Sequence, residues 1–270
     1  MVFATARRER GVGAPGPLVS LRRWRLADDG VTTWVEDARV ANGLTLSRDG
    51  EHLLVCEQGD RERPGCIARY RLADAQREVV VDAYRGQRFN SPNKVLELAS
   101  GAVILTDPDY GVRQGFRPPS PLEPGVYLHR PGGETMRLAA ELLQPHGLAL
   151  SPGGEWLYVS DTAADSGTGE FYPECPHHVW RYDLDEAAAT LSAATRLVAS
   201  PSGIPDGMDC DADGRLYCAT GDGVRVYRGD DGRELHHEPI DGGAVGLSVA
   251  GDPARLFVTT DEAVLVFDIA

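Results

Sequence analysis

Four polar residues occupy matching places in short phrases that recur along the chain, and together they could bind a cation or exchange protons with a substrate. They are Asn42 in Ala-Asn-Gly, Asn93 in Pro-Asn-Lys, His146 in Pro-His-Gly and Asp206 in Pro-Asp-Gly. Amide and carboxylate oxygens suit hard cations such as Ca²⁺ or Mg²⁺, whereas a histidine nitrogen also admits Zn²⁺, Mn²⁺ or Fe²⁺. A fold that joined these residues would create a cation site or an acid–base pair.

The phrases return about every 40 to 60 residues, which is the spacing of β-propeller blades. A fifth phrase is Ala-Val-Gly at 244–246, in which we take Gly246 as the counterpart. Each phrase leads into an alternating run, and Asp, Gly or Pro turns join it to further β-rich runs. No long stretch has helical periodicity. We predict an all-β chain: a six-bladed β-propeller with four-stranded antiparallel blades, in a single domain over residues 1–270. The alternative is a β-sandwich with similar turns.

The beginning of the chain departs from the repeat. Residues 1–35 resemble only the second, third and fourth strands of a blade. The first blade therefore lacks its usual inner strand, either because the chain begins inside a blade or because upstream residues have been lost. The open edge of such a blade would invite pairing with another chain. An oligomer formed through this blade is one expectation.

Propeller geometry extends the candidate site beyond the phrases. The end of each second strand returns to the tunnel mouth at which the inner strand begins, because the two strands are antiparallel. The loops at 110–125 and 163–176 would cover this mouth and set the substrate. We expect substrate contacts from seven residues: Asn42, Glu57, Asn93, Lys94, Asp107, Tyr110 and His177.

Several of these residues also have a purely structural interpretation. Asp107 would instead accept backbone amides at a strand end. Asn42 and Asp206 would be ordinary turn residues, and His146 would be a hydrogen-bonded structural histidine. The two histidines at 177–178 would point to opposite faces of a strand, so at most one of them would face the site.

Composition narrows the class of partner. A net charge of −14 argues against nucleic acid, because phosphate binding needs a Lys/Arg surface. No apolar stretch reaches 18 residues, so we expect no membrane partner. The five cysteines form no Cys-x-x-Cys motif, and we find no signal peptide. We therefore expect reduced thiols, a cytoplasmic protein and a small-molecule substrate.

Five motifs together resemble the family of senescence marker protein, gluconolactonase and luciferin-regenerating enzyme. They lie, in the family's order, at 88–93, 106–111, 145–152, 176–179 and 205–208, and the similarity runs through nearly the whole chain. The resemblance implies a six-bladed propeller with one divalent cation, often Ca²⁺, and hydrolysis of a sugar lactone or related ester. In such an enzyme the cation polarises the carbonyl group, and an Asp is the proposed base for water.

The resemblance carries over to individual residues only in part. Asp206 keeps the family's Asp, which is both ligand and proposed base, and Asn93 keeps the amide. His146 stands where the family has Asn, and Lys94 stands where it has Asp. The family's Glu ligand has no counterpart, and Glu57 is the candidate to stand in for it. The implied metal ligands are therefore Asp206, His146 and Asn93, and the implied catalytic residues are Asp206 and His146.

Three functions follow from this partial match. The first is a lactonase-type hydrolase with a divalent cation, which is Ca²⁺ by resemblance or Zn²⁺ or Mn²⁺ given His146. The second is a metal-independent cyclase, isomerase or lyase that uses His146 and Asp206 as an acid–base pair. The third is a non-catalytic binding propeller. Sensitivity to a chelator separates the first from the second, and the activity of Asp206 and His146 variants separates both from the third.

Overall fold

The computed structural model describes residues 1–5, 7–9, 14–139, 141–251 and 254–269. Its regular structure is antiparallel β-sheet apart from one four-residue helix, which confirms the all-β prediction. The chain divides into two compact units, Met1–Arg137 and Leu138–Ala270. Each unit contains three sheets of three or four strands, which we number as blades 1 to 6 along the chain, and unit 1 also contains a two-stranded sheet. The described residues include no helix long and apolar enough to cross a membrane.

Unit 1 contains blades 1 to 3. Blade 1 consists of β1 (Val2–Ala4), β2 (Leu21–Arg25) and β3 (Gly30–Val35). Blade 2 consists of β4 (Ala41–Leu46), β5 (His52–Glu57), β6 (Cys66–Arg71) and β7 (Arg77–Val81). A short hairpin of β8 (Ala83–Tyr84) and β9 (Gln87–Arg88) follows. Blade 3 consists of β10 (Val95–Glu97), β11 (Val103–Asp107), β12 (Gly125–His129) and β13 (Thr135–Ala139), and α1 (Tyr110–Arg113) lies between β11 and β12.

Unit 2 contains blades 4 to 6. Blade 4 consists of β14 (Pro145–Leu150), β15 (Trp156–Asp161), β16 (His178–Asp185) and β17 (Thr190–Ala199). Blade 5 consists of β18 (Met208–Cys210), β19 (Arg215–Thr220), β20 (Gly223–Arg228) and β21 (Glu234–Pro239). Blade 6 consists of β22 (Gly246–Ala250), β23 (Arg255–Thr259) and β24 (Val264–Asp268).

Each sheet is a meander whose strands pair in chain order, and the fold class is the predicted six-bladed β-propeller. Blade 1 has three strands among the described residues. That the strand it lacks is the inner one stays a prediction. Apolar side chains fill the space between successive blades of a unit, such as Ile67, Leu105 and Tyr127 between blades 2 and 3. That residues 1–270 form a single domain stays a prediction.

One backbone hydrogen bond defines the phrase position in several blades. The amides of Asn93, Asp206 and Val245 donate to the carbonyls of second-strand residues Thr106, Ala219 and Thr259, each over 2.9 Å. The blade 6 counterpart is therefore Val245, and the expectation that it is Gly246 is wrong. The shorter Ala-Val-Gly phrase has no polar residue to mark the position, which explains the error.

The glycine that follows the phrase residue lets neighbouring inner strands approach. A Cβ on Gly43 would collide with the carbonyl oxygen of Asn93, and one on Gly147 would collide with that of Asp206. Only glycine leaves room for such an approach of two backbones. The glycines therefore place the phrase residues of adjacent blades side by side within each unit.

Candidate functional site

Unit 2 places the side chains of His146 and Asp206 next to each other. His146 is the second residue of β14, and Asp206 lies two residues before β18. The His146 Nδ1 atom lies 3.3 Å from Asp206 Oδ1. The His146 side chain is 7% exposed, whereas that of Asp206 is 20% exposed, so the carboxylate is the member that solvent or a substrate can reach.

The strand ends around this pair are fixed by hydrogen bonds. The Gly147 amide donates to the Ser160 hydroxyl over 2.7 Å, which holds the start of β14 against the end of β15. The amide of Asp206 donates to the Ala219 carbonyl, and the amide of Gly207 donates to the Val245 carbonyl over 3.0 Å. Asp206 therefore has His146 on one side and Val245 on the other.

The distance within the pair is compatible with two kinds of chemistry. At 3.3 Å it is slightly longer than a typical N–H···O hydrogen bond. Two ligands of one Zn²⁺ or Ca²⁺ ion in adjacent coordination positions lie about 3 Å apart, as the usual bond lengths require. The described residues contain no group of three or more His, Cys, Asp and Glu side chains placed to hold a metal. A cation held by the pair would therefore complete its shell with amide, carbonyl or water oxygens.

Unit 1 brings Asn42, Asn93 and Lys94 together. The Gly43 amide donates to the Asn93 carbonyl over 2.8 Å, and the Lys94 side chain lies against Gly43. Asn93 is 1% exposed, and no described group forms a hydrogen bond with its Oδ1. A buried carbonyl oxygen without a donor costs about 1–3 kcal/mol, so this atom is suited to accept a bond from a ligand or to bind a cation. That Asn42, Asn93, His146 and Asp206 all converge stays a prediction.

Glu57 belongs to a closed ion pair inside blade 2. Its side chain is fully buried, and Arg77 donates to both of its oxygens, from Nε over 2.7 Å and from Nη2 over 2.6 Å. The Tyr70 hydroxyl donates to the same carboxylate over 2.6 Å, and the Cys66 thiol lies 3.3 Å away. Burial, followed by the charge of Glu57, raises the pKa of Cys66 to about 12. These contacts account for the burial of Glu57 without a ligand, and its predicted substrate contact stays a prediction.

Asp107 holds the loop that precedes the blade 3 phrase. Its carboxylate accepts the amides of Asn90 and Ser91, each over 2.8 Å. Asp161 does the same in blade 4, where it accepts the amides of Leu143 and Gln144. The structure thus shows that Asp107 binds backbone amides, which was its structural interpretation. Burial raises the pKa of the Asp107 carboxyl to about 7.

Tyr110 begins helix α1, three residues after the end of β11. The residue is buried, with 4% of its surface exposed. The following amide, that of Gly111, donates to the Ser91 hydroxyl over 2.8 Å and so ties the helix to the loop before Asn93. The predicted substrate contact of Tyr110 stays a prediction.

Arg117 is a positioning residue that the sequence analysis missed. Its buried guanidinium donates to main-chain carbonyls at Asp60, Arg63, Phe89 and Asn90 over 2.8 to 3.1 Å. It therefore fastens loops of blades 2 and 3 next to Asn93. No sequence signal could have found it, because all four acceptors are main-chain groups.

The two histidines at 177–178 do not point to opposite faces, and that expectation is wrong. Their rings stack with centroids 5.0 Å apart and planes 21° from parallel. The reason is that β16 begins only at His178, so His177 lies outside the strand and is free of its alternation. His177 Nδ1 donates to the Cys175 carbonyl over 2.8 Å. The centroid of the His177 ring lies 5.7 Å from that of the Phe171 ring. A substrate contact by His177 stays a prediction.

Comparisons with known proteins point to one family. Residues 17–261 match the profile of the SMP-30/Gluconolactonase/LRE-like region. The chain is 33% identical over 201 residues to a gluconolactonase of Zymomonas mobilis, an alignment that covers 70% of this chain and 52% of the relative. It is 27% identical over 229 residues to a pentonolactonase of Haloferax volcanii, which covers 83% of this chain and 68% of the relative.

The chain thus spans about half the length of the first of these relatives. The fold is similar to the solved structure of a gluconolactonase from Xanthomonas campestris, with a TM-score of 0.80 and 28% identity. That similarity covers 98% of this chain and 85% of the other.

Proposed function

The chain belongs to the SMP-30/gluconolactonase/LRE-like family, and from this premise we propose that it is a lactonase-type hydrolase whose reacting groups are Asp206 and His146. The observation that carries the proposal is the His146–Asp206 pair, with Nδ1 and Oδ1 3.3 Å apart. Relatives named gluconolactonase and pentonolactonase support the reaction class.

The two residues of the pair differ in burial, which suggests a different role for each. Asp206 is the more exposed partner and takes a proton from the attacking water, which adds to the lactone carbonyl carbon. The ring C–O bond then breaks, and the ring oxygen takes the proton back from Asp206 and leaves as the hydroxyl group of a hydroxy acid. His146 is nearly enclosed, and a proton on Nδ1 orients the carboxylate for this transfer.

A divalent cation fits the donor set in part. His146 and Asp206 would hold it, and Asn93 as a third ligand stays a prediction. When bound, the cation would polarise the lactone carbonyl as a Lewis acid. The nitrogen donor of His146 favours Zn²⁺ or Mn²⁺ over Ca²⁺, which prefers all-oxygen shells.

A second candidate function is favoured by the small number of charged ligands around the pair. Within the described ranges, no third His, Cys, Asp or Glu joins His146 and Asp206 to complete a metal cluster. A metal-independent cyclase, isomerase or lyase could use the same two residues as acid and base. A chelator would leave such an enzyme unchanged.

The test is lactone hydrolysis by purified protein, before and after chelation, with metal content measured by plasma mass spectrometry. We expect hydrolysis that falls on chelation and returns with Zn²⁺ or Mn²⁺. Hydrolysis that persists without metal would retain the reaction and remove the cation. A failure to hydrolyse any lactone would contradict the proposal and favour metal-independent chemistry or a binding propeller.

A further inference from the structure

The phrase position of blade 6 is apolar where those of blades 2 to 5 are polar. Val245 occupies it, as the hydrogen bond from its amide to the Thr259 carbonyl shows. The Gly207 amide donates to the Val245 carbonyl over 3.0 Å, so Val245 is the inner-strand neighbour of Asp206. The Val245 side chain is 39% exposed. A partly exposed apolar residue therefore occupies the inner-strand position next to that of Asp206.

Further exposed apolar side chains lie at this same end of unit 2. Leu143 is 59% exposed, and its amide donates to Asp161 at the end of β15. Phe171 and Tyr172 are each 44% exposed, and they lie in the loop that follows β15. Nine large apolar side chains are notably exposed in the described chain, and these three and Val245 are among them. Apolar side chains that stay exposed at one end of a unit are candidates for a binding surface.

The loop that carries Phe171 and Tyr172 is fixed by its own hydrogen bonds. The Tyr172 amide donates to the Ala164 carbonyl over 2.7 Å, and the Cys175 amide donates to the Tyr172 carbonyl over 2.9 Å. The Phe171 ring packs edge-on against His177. The two aromatic side chains are therefore held at the surface by an ordered loop.

We propose that the lactone substrate carries an apolar substituent, and that Val245, Leu143, Phe171 and Tyr172 bind this substituent while Asp206 acts on the ring. The inference rests on the proposed function and names its substrate class. A hydroxylated substituent would leave its hydroxyl groups without hydrogen-bond partners on Val245, which is unfavourable. Each methylene group that is buried should raise kcat/KM by about fourfold.

The test is a chain-length series of γ-lactones from butyrolactone to decalactone, with glucono-δ-lactone as the sugar counterpart. We expect kcat/KM to rise about fourfold per methylene over the first few carbons and to exceed that for the sugar lactone. Val245→Thr keeps the side-chain shape and adds a hydroxyl group, so it should flatten the series. Phe171→Ser should flatten it further, and Leu235→Ser, at an exposed leucine on β21, is the matched control.

The failures of the two proposals are distinguishable. Hydrolysis of butyrolactone with a flat series, or with preference for the sugar lactone, overturns this inference and leaves the proposed function standing. No hydrolysis of any lactone overturns both. A flat series together with a dimer that Phe171→Ser dissociates overturns it in favour of a contact between two copies of the chain.

Discussion

Units 1 and 2 contain the same repeat, but their acidic residues have different surroundings. The comparison is between Glu57 and Asp107 of unit 1 and the His146–Asp206 pair of unit 2. Glu57 and Asp107 end second strands and are fully buried, and the fold itself binds their oxygens through Arg77 and backbone amides. Asp206 lies at a phrase position, faces His146 and keeps 20% of its side chain exposed. An acidic residue can react with a substrate only where the fold leaves an oxygen accessible. From this comparison we expect structural roles for Glu57 and Asp107, and we propose the reaction for Asp206.

The largest expected effect is on catalysis at Asp206. Asp206→Asn removes the proposed base while preserving the size of the side chain, so kcat/KM for a lactone should fall by about 10²–10⁴-fold. The melting temperature should change little, since the side chain is partly exposed. Asp213→Asn, at an exposed turn carboxylate of the same blade, is the control and should retain activity. Full activity in Asp206→Asn would remove the proposed mechanism.

The next effect is on stability at Glu57. Glu57→Gln leaves the Arg77 guanidinium without its counter-charge inside blade 2, which should lower the free energy of unfolding by about 2–3 kcal/mol. Denaturant unfolding measures this change. Activity at a temperature well below unfolding should be retained. A variant with unchanged stability but lost activity would show that Glu57 serves the substrate instead.

A smaller effect concerns the pH dependence of stability through Asp107. Its pKa is raised to about 7 in the folded protein, so between pH 4 and 7 the folded state holds a proton that the unfolded state has released. The free energy of unfolding should therefore fall as pH rises through this window, by up to about 1.4 kcal/mol per pH unit from this group.

Asp107→Asn isolates that contribution. The asparagine cannot ionise, so the difference in unfolding free energy between variant and parent should shift with pH across the window. The measurement is denaturant unfolding of both proteins at pH 5 and pH 7.5. A constant difference would mean that Asp107 titrates with an ordinary pKa.

The repeat made most of the fold predictable. Phrase spacing and turn residues carry the blade pattern, and the glycine after the phrase residue brings His146 next to Asp206. These features are local, so a single sequence displays them. Blade 6 shows the limit of this prediction. The sequence placed its phrase position at Gly246 and the structure places it at Val245, because a phrase without a polar residue has nothing to mark the position.

Long-range partners could not be predicted in the same way. Arg77 lies 20 residues after Glu57, and nothing in the spacing shows that they meet. Arg117 binds main-chain carbonyls, which every residue offers. The exposed faces of Phe171 and Tyr172 depend on how their loop closes on itself. Such contacts follow from three-dimensional packing, and they decide which carboxylates are available to a substrate.

The most direct test of the comparison measures lactone kcat/KM and melting temperature for Asp206→Asn and Glu57→Gln side by side with the parent. The account predicts that Asp206→Asn loses activity but keeps its melting temperature. It predicts that Glu57→Gln has a lower melting temperature but keeps its activity. Equal loss of activity in both variants at unchanged melting temperature would contradict it, because Glu57 would then belong to the reacting site.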